Sequence, residues 1–334
     1  MKSFTSAALI ALTALFTASP ALAANPSLCV YDPGGAVGTV AKLAQEFASI
    51  SKVQFGTDVD VRVSQDESVV VSDYKASKCD AVFATGVRLQ EFNNFSSTIE
   101  AVGAVTDYDI AKRVLTGLAT SATAAPLFRS GDHETAGLLP AGLVYLFLRD
   151  RSIDTVGELS GKKIAYMSYD PAAATMVNRV AGTPVASDLA NFASRFNSGA
   201  VDACYMPALG YGVFDLKKGV GTAGGVVDLP LALGTFQLLT RHAKFPAEFG
   251  TKARAWFATK FDSAVTAIKK EEANIPSSSW IRIPAADRPG FDDMFLQVRL
   301  SLKGKAYHPE MLKFMRMARC GRDATRSECA EKKE

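Results

Sequence analysis

The sequence predicts an α/β protein built as two lobes facing each other across a cleft, with the last third of the chain helical. Three observations carry this expectation. Strand-type and helix-type hydrophobic patterns alternate from residue 28 to about residue 85, the same alternation restarts near residue 141, and beyond about residue 245 the pattern becomes helical only.

In the first cycle "LCVYD" is a strand that leads through "PGGAVG" into a helix with Val37, Val40, Ala41, Ala44 and Phe47 on its apolar side. "VDVRVSQ" alternates at period two, and "CDAVFATG" is a short strand of the buried type. The run Asp32 to Gly38 has the look of a phosphate-cradling loop, but Pro33 stands where a dinucleotide fingerprint needs its first glycine. Gly34, Gly35 and Gly38 either let a ligand approach a helix N-terminus or make the turn. Asp32 and Gly35 are therefore candidate binding residues, as are Thr85 and Arg88 at the end of the third strand.

The second cycle opens with the strand "AGLVYLFLRD". Thr155 and Glu158 form a capping box, Gly161 stops the short helix, and "KKIAYMS" is the next strand. Ser187 is the expected cap of a helix bearing Leu189, Phe192 and Phe196, which Gly199 ends before the strand "VDACYM". "GGVVDLPLALGTFQLLTR" then returns as an extended segment. Phe249, Ala253, Trp256, Phe257, Phe261, Ala264 and Ile268 make one helical stripe; Phe291, Met294, Phe295, Val298 and Leu302 make another. The expected organisation is lobe one from 24–140 plus 235–334 and lobe two from 141–234. Crossovers fall near Tyr145 to Arg149 and Val226 to Gly234.

The N-terminus has a positive Lys2, an apolar run from Ala7 to Phe16 and the small-x-small site Ala21-Leu22-Ala23, so residues 1–23 read as a secretory signal peptide and the compartment as the periplasm. The apolar run is shorter than the ~20 residues of a spanning helix, so the mature chain is not expected to be membrane-embedded. Without Lys2 the chain carries 36 basic and 34 acidic residues, a balance that argues against a nucleic-acid partner. The basic tail from Arg316 to Lys333 reads as a solvated end. Cys29 and Cys79 open strands that neighbour each other in a doubly wound sheet, which makes a bridge plausible in an oxidising compartment; Cys320 and Cys329 would close a small loop, and Cys204 reads as a buried thiol.

Catalysis finds little support. The chain has no Gly-x-Ser-x-Gly elbow, its three histidines stand apart from one another and from any cysteine pair, and "SGDHET" around His133 reads as a hairpin tip. Asp66 and Glu67 are expected to point to opposite faces of a strand and so not to work as a pair. No cofactor is expected.

The stretch "SIDTVGELSGKKIAYMSYDPAAATMVNRVAGTPVASDLANFASRFNSGAVDACYMPALGYGVFDL" resembles the second lobe of the DctP-type solute-binding proteins of TRAP transporters. Over nearly the whole mature chain the sequence is more similar to the AdeT-type family of solute-binding or efflux-associated proteins, through "CVYDPGGAVG", "SQDESVVVSDYKASKCDAVFATGVR", "LFLRDRSIDT", "RFNSGAVDA", "KFPAEFGTKARAWFA" and "MARCGRDATRSECA". The resemblance implies a periplasmic-binding-protein-like clamshell of type II that closes on a small ligand without chemistry and hands it to membrane transporter subunits. An accessory role in an efflux system, acting through protein contacts, is the alternative.

TRAP-type relatives place an arginine on the strand after "GKKI", where its paired donors clamp a carboxylate. This sequence has Ala165 there, followed by Tyr166. Tyr145 stands where an auxiliary arginine is often found, Tyr205 stands near a polar asparagine position, and Glu67 matches a family glutamate that faces the cleft. Each tyrosine has packing as its alternative role. A cleft with Glu67 and several tyrosines but no arginine clamp favours a neutral or cationic ligand over a simple organic acid. Arg88, Arg149 and Arg179 are the residues that could restore an acid site from elsewhere.

Overall fold

The computed structural model describes residues 25–334; the expected signal peptide lies outside them. Eleven strands form one mixed sheet: β1 (Ser27–Tyr31), β2 (Asp60–Ser64), β3 (Ala81–Thr85), β4 (Arg129–Ser130), β5 (His133–Leu148), β6 (Lys163–Met167), β7 (Thr183–Ser187), β8 (Ala203–Pro207), β9 (Gly225–Val227), β10 (Ala232–Arg241) and β11 (Trp280–Ile281). The main order is β2-β1-β3-β10-β5-β8-β6-β7. Parallel pairs need crossover helices. Thr39–Phe55 supplies one between β1 and β2, Glu67–Lys75 one between β2 and β3, and Pro171–Arg179 one between β6 and β7. Between these parallel ends lie β10 and β5, antiparallel to each other and to their outer neighbours β3 and β8.

β5 is the longest strand, and nearly all of its residues are buried. That follows from a central strand covered on both faces. Its apolar surface continues into the helices Phe249–Thr259 and Phe261–Glu272, where Phe257 packs on Phe47 and Phe83. The expected single stripe is thus two helices, broken at Lys260. Gly142, at φ +126°, pairs with Gly234 across β5 and β10, and the ladder shifts register immediately after Gly234. The expected crossover at Tyr145 to Arg149 is not where the ladder breaks: Val144 to Leu148 pair regularly with β8.

Local expectations shift where a short polar side chain takes the cap. Asp66 ends the extended run by accepting from the backbone N–H of Ser68 and Val69, so Glu67 begins a helix and is not a strand neighbour of Asp66. Asp188, one residue beyond the expected Ser187, caps Leu189–Asn197 in a reciprocal box with Asn191. Glu158 does accept from the backbone N–H of Thr155, but around a 3₁₀ turn only.

Both expected disulfides are present, Cys29–Cys79 joining β1 to the approach of β3 and Cys320–Cys329 joining the helices Pro309–Arg322 and Ser327–Glu331. Cys204 is a free, buried thiol. The tail is not a solvated end. Arg299 and Arg319 are buried, each ion-paired to both Glu328 and Glu334, and they donate to the carbonyls of Val102 and Ala104. Buried charges persist when paired and hydrogen-bonded in this way, a pattern that net charge along the sequence does not reveal.

Candidate functional site: a two-chambered cleft

The turns after β1, β3 and β6 and the 3₁₀ turn Thr98–Glu100 meet along one cleft. It has an inner chamber of about 160 Å³ and an outer one of about 460 Å³. Glu67, Tyr169 and Leu189 border both and mark the neck between them.

The inner chamber is walled mainly by aliphatic and methionine side chains, among them Val87, Val102, Val144, Met167, Met176 and Leu233. No lysine, arginine or histidine lines it. Its charged groups are carboxyls, and its other polar side chains are the hydroxyls of Thr85, Tyr169, Tyr205 and Thr235. Glu67 is the first residue of its helix, and its Oε1 accepts from the backbone N–H and hydroxyl of Thr85 at 2.8 and 2.6 Å. Burial raises its carboxyl above the ordinary range against the pull of those bonds. Glu100 follows the same design on the adjacent strand: Oε1 accepts from the N–H and hydroxyl of Thr235 at 2.8 and 2.5 Å, and burial pushes its carboxyl up to about 8. Neither carboxylate has an ion-pair partner among the described residues, and the Oε2 atom of each makes no hydrogen bond to them. Gly86 has to be glycine here, because a Cβ would overlap the Glu100–Thr235–Gln237 cluster.

Asp170 lies just behind the wall. It caps Pro171–Arg179 by accepting from Ala172 and Ala173, and its other oxygen accepts from the Tyr205 hydroxyl at 3.4 Å. Burial raises the Asp170 carboxyl as well. Tyr205 lines the inner chamber, and its oxygen accepts from the Met167 backbone N–H.

The outer chamber is mixed, with Tyr31, Gln65, Asp66, Asp188 and Phe214 around Arg88. The Arg88 guanidinium stacks on the Tyr169 ring, 4.3 Å from its centre. Of the three arginines considered for acid binding, only Arg88 borders the cleft. Arg149 donates to the carbonyls of Phe196 and Gly219 in the body of the second half, and Arg179 is exposed.

Among the residues expected at the site, Glu67, Thr85, Arg88 and Tyr205 come together along the cleft. The others lie elsewhere. Asp32 is buried with its carboxylate accepting from Gly34 and Ala41, which fixes the turn into the first helix. Gly35 packs on the Gln65 side chain at φ +65°, so the turn-making role of this glycine run is the one realised. Tyr145 alternates with the chamber-lining Val144 and therefore points to the other face of the sheet, where it stacks on Trp280 and donates to Glu272. Tyr166 likewise alternates with the lining Met167, while Ala165 shares the face of Met167 one pleat deeper and is fully covered. The residues that sequence reasoning missed are Glu100, Tyr169 and the β10 entry Leu231 to Thr235. Glu100 had a visible signal, a lone charge inside the apolar run Ile99 to Val105.

The model of the solute-binding protein AdeT 1/2 family matches residues 42–334. The chain belongs to that family. Of curated relatives, "Probable solute-binding protein AdeT1" of Acinetobacter baumannii is 34% identical over 302 residues, covering 90% of this chain and 99% of the relative; AdeT2 of the same organism is 26% identical over 199 residues, covering 59% and 84%. Solved structures of TRAP periplasmic solute-binding proteins share the fold of this AdeT-family chain. One from Haemophilus influenzae with bound L-gulonate has a TM-score of 0.71 at 13% identity, covering 88% of this chain and 99% of that one. The ectoine-binding protein of Halomonas elongata has a TM-score of 0.69 at 13% identity, covering 88% and 98%. These likenesses establish the two-lobed α/β fold, at identities too low to carry a ligand across.

Proposed function

We propose that this AdeT-family chain is an exported binding protein that closes its lobes on a small neutral or cationic solute and delivers it to a membrane transporter. One observation carries the ligand preference: a mainly apolar chamber that presents unpaired carboxyl oxygens and no cationic side chain. A carboxylate buried there would find no cationic side chain to pair with, which costs far more than a paired one. The lobe boundaries expected at 140/141 and 234/235 fall within two residues of the Gly142–Gly234 pair, one of the two irregular points of the connecting strands. Hinge bending there would let the Glu67 and Tyr169 sides of the cleft approach each other. A role confined to protein contacts in an efflux assembly gains nothing from such a chamber.

The test is calorimetry and small-angle scattering on the secreted protein with amines, neutral polyols and organic acids. Expected is binding from the first two groups with compaction of the particle. Micromolar binding of a simple dicarboxylate would overturn the ligand preference, and binding without compaction would overturn the hinge. Export and cleavage after Ala23 predict an intact mass that begins at Ala24; a mass retaining Met1 would reject them.

A further inference from the structure

The inner chamber has a body and a head. Its body is apolar and of about 160 Å³, close to the roughly 150 Å³ of a cavity that holds a benzene-sized guest. Its head is the pair Glu67 and Glu100, each anchored through Oε1 to a threonine of a neighbouring strand, Thr85 of β3 and Thr235 of β10. The anchoring leaves both Oε2 atoms for an occupant. Glu67 is 4% exposed, and Glu100 is partly buried.

Resting on the ligand preference proposed above, we infer that the inner chamber takes an organic monoammonium ion with one compact apolar ring or branched chain, its charge held between Glu67 and Glu100. An ammonium carries only donors, and the head offers only acceptors once its carboxyls are ionised. A charge-assisted bond in an enclosed site is about twice as strong as a neutral one. A dication would leave one charge against the aliphatic wall, so a single charge fits the single head.

The proton balance follows from the groups that face Glu100. Glu67 and Asp170 are like charges near it, and the hydroxyls of Tyr169, Tyr205 and Tyr307 are held neutral by burial. Arg88, the nearest cation of the cleft, stays in the outer chamber on Tyr169. With no cation at hand, burial keeps the Glu100 carboxyl protonated at neutral pH. The arriving ammonium supplies the missing charge, the carboxyl ionises, and its proton leaves to buffer; the ammonium keeps its own. Binding therefore tightens as pH rises through about 8.

Three probes with one ring separate the outcomes: cyclohexylamine, cyclohexanol and cyclohexanecarboxylate, titrated by calorimetry at pH 6.5 and 8.5 in buffers of different ionisation heat. Expected are amine binding on the order of tenfold tighter at pH 8.5 than at 6.5, proton release to the buffer, and weaker binding of the alcohol. Glu100→Gln keeps an acceptor for Thr235, and its binding should lose about tenfold in amine affinity at pH 8.5 with a blunted pH response; Glu67→Gln/Glu100→Gln should abolish the response. Alcohol binding equal to the amine, or an amine affinity untouched by Glu100→Gln, overturns the inference while leaving capture in the cleft standing. Preferred binding of the carboxylate overturns both. Failure of all three probes to bind at millimolar concentration overturns the inference alone, because larger neutral solutes remain open to the scattering test.

Discussion

Arg88 and Tyr169 stack across the cleft, the guanidinium carbon 4.3 Å from the ring centre, with Arg88 carried by the turn after β3 and Tyr169 by the turn after β6. The contact ties one wall to the other. Cation–π contacts of this kind contribute about 0.5–1 kcal/mol at partly exposed sites. Arg88→Met should therefore change global stability little, yet open the free protein. Small-angle scattering should give a larger radius of gyration for the variant without ligand, and solute affinity should fall about two- to fivefold. An unchanged radius would mean that the pair does not bias closure.

Glu100 makes stability depend on pH in the direction opposite to most carboxylates. Its folded carboxyl titrates near 8, above the ordinary value of 4.5, so the folded state holds the proton more tightly than the unfolded chain. That contribution is complete below the unfolded value and is lost as pH rises from there through 8. Glu100→Gln mimics the protonated form at every pH. Its melting temperature relative to wild type should rise by at least about 2 °C between pH 5 and pH 8.5, and a constant difference would refute the assignment.

Much of the fold was legible because period-two and helical patterns announce their elements directly. The β5–β10 pairing was less so: "HETAGLLPAGLVYLFL" contains two glycines and a proline that suggest interruption, yet the sheet carries them as one strand by using Gly142 at a left-handed φ. Of the site, Glu67 and Tyr205 could be anticipated, whereas Tyr145 and Tyr166 were displaced by one step of strand alternation, an error that flips a side chain to the other face. Glu100 escaped because its role depends on Thr235, 135 residues away. The Arg299–Glu328–Arg319–Glu334 cluster escaped for the same reason: a run of mixed charge in sequence gives no hint that its members pair in a buried place.

Ala165 sits on the chamber side of β6 beneath Met167. Placing an arginine there would supply the missing clamp, and a charged hydrogen bond contributes roughly 1.5–3 kcal/mol. Wild type should bind succinate negligibly, and Ala165→Arg should gain at least about a hundredfold. Calorimetry with succinate checks this; equal, tight binding by both proteins would remove the argument against acids. Near-ultraviolet circular dichroism controls for repacking.

The two disulfides should differ in their contributions. Cys29–Cys79 spans 50 residues and Cys320–Cys329 spans 9, for which loop-closure entropy gives about 4 and about 2.6 kcal/mol. Replacing the first pair by serine should lower the urea midpoint more than replacing the second. The reverse order would show that contacts of the C-terminal cluster outweigh chain entropy.

Gly142→Ala should destabilise by about 1–3 kcal/mol, because φ +126° suits only glycine and a Cβ would crowd Ile268 and Pro207. Urea unfolding measures it, and a loss under 0.5 kcal/mol would mean that the strand can relax at this position.

In the closure proposed above, the same pair, Gly142 opposite Gly234, would set what kind of motion is mechanically available. Two hydrogen-bonded strands hinged at facing glycines would act as a leaf spring: compliant to folding across the sheet, stiff to sliding along it. A flexible tether would let the halves wander through many orientations, but a spring would return them along one arc. Each half would then meet the solute at an angle written into the backbone.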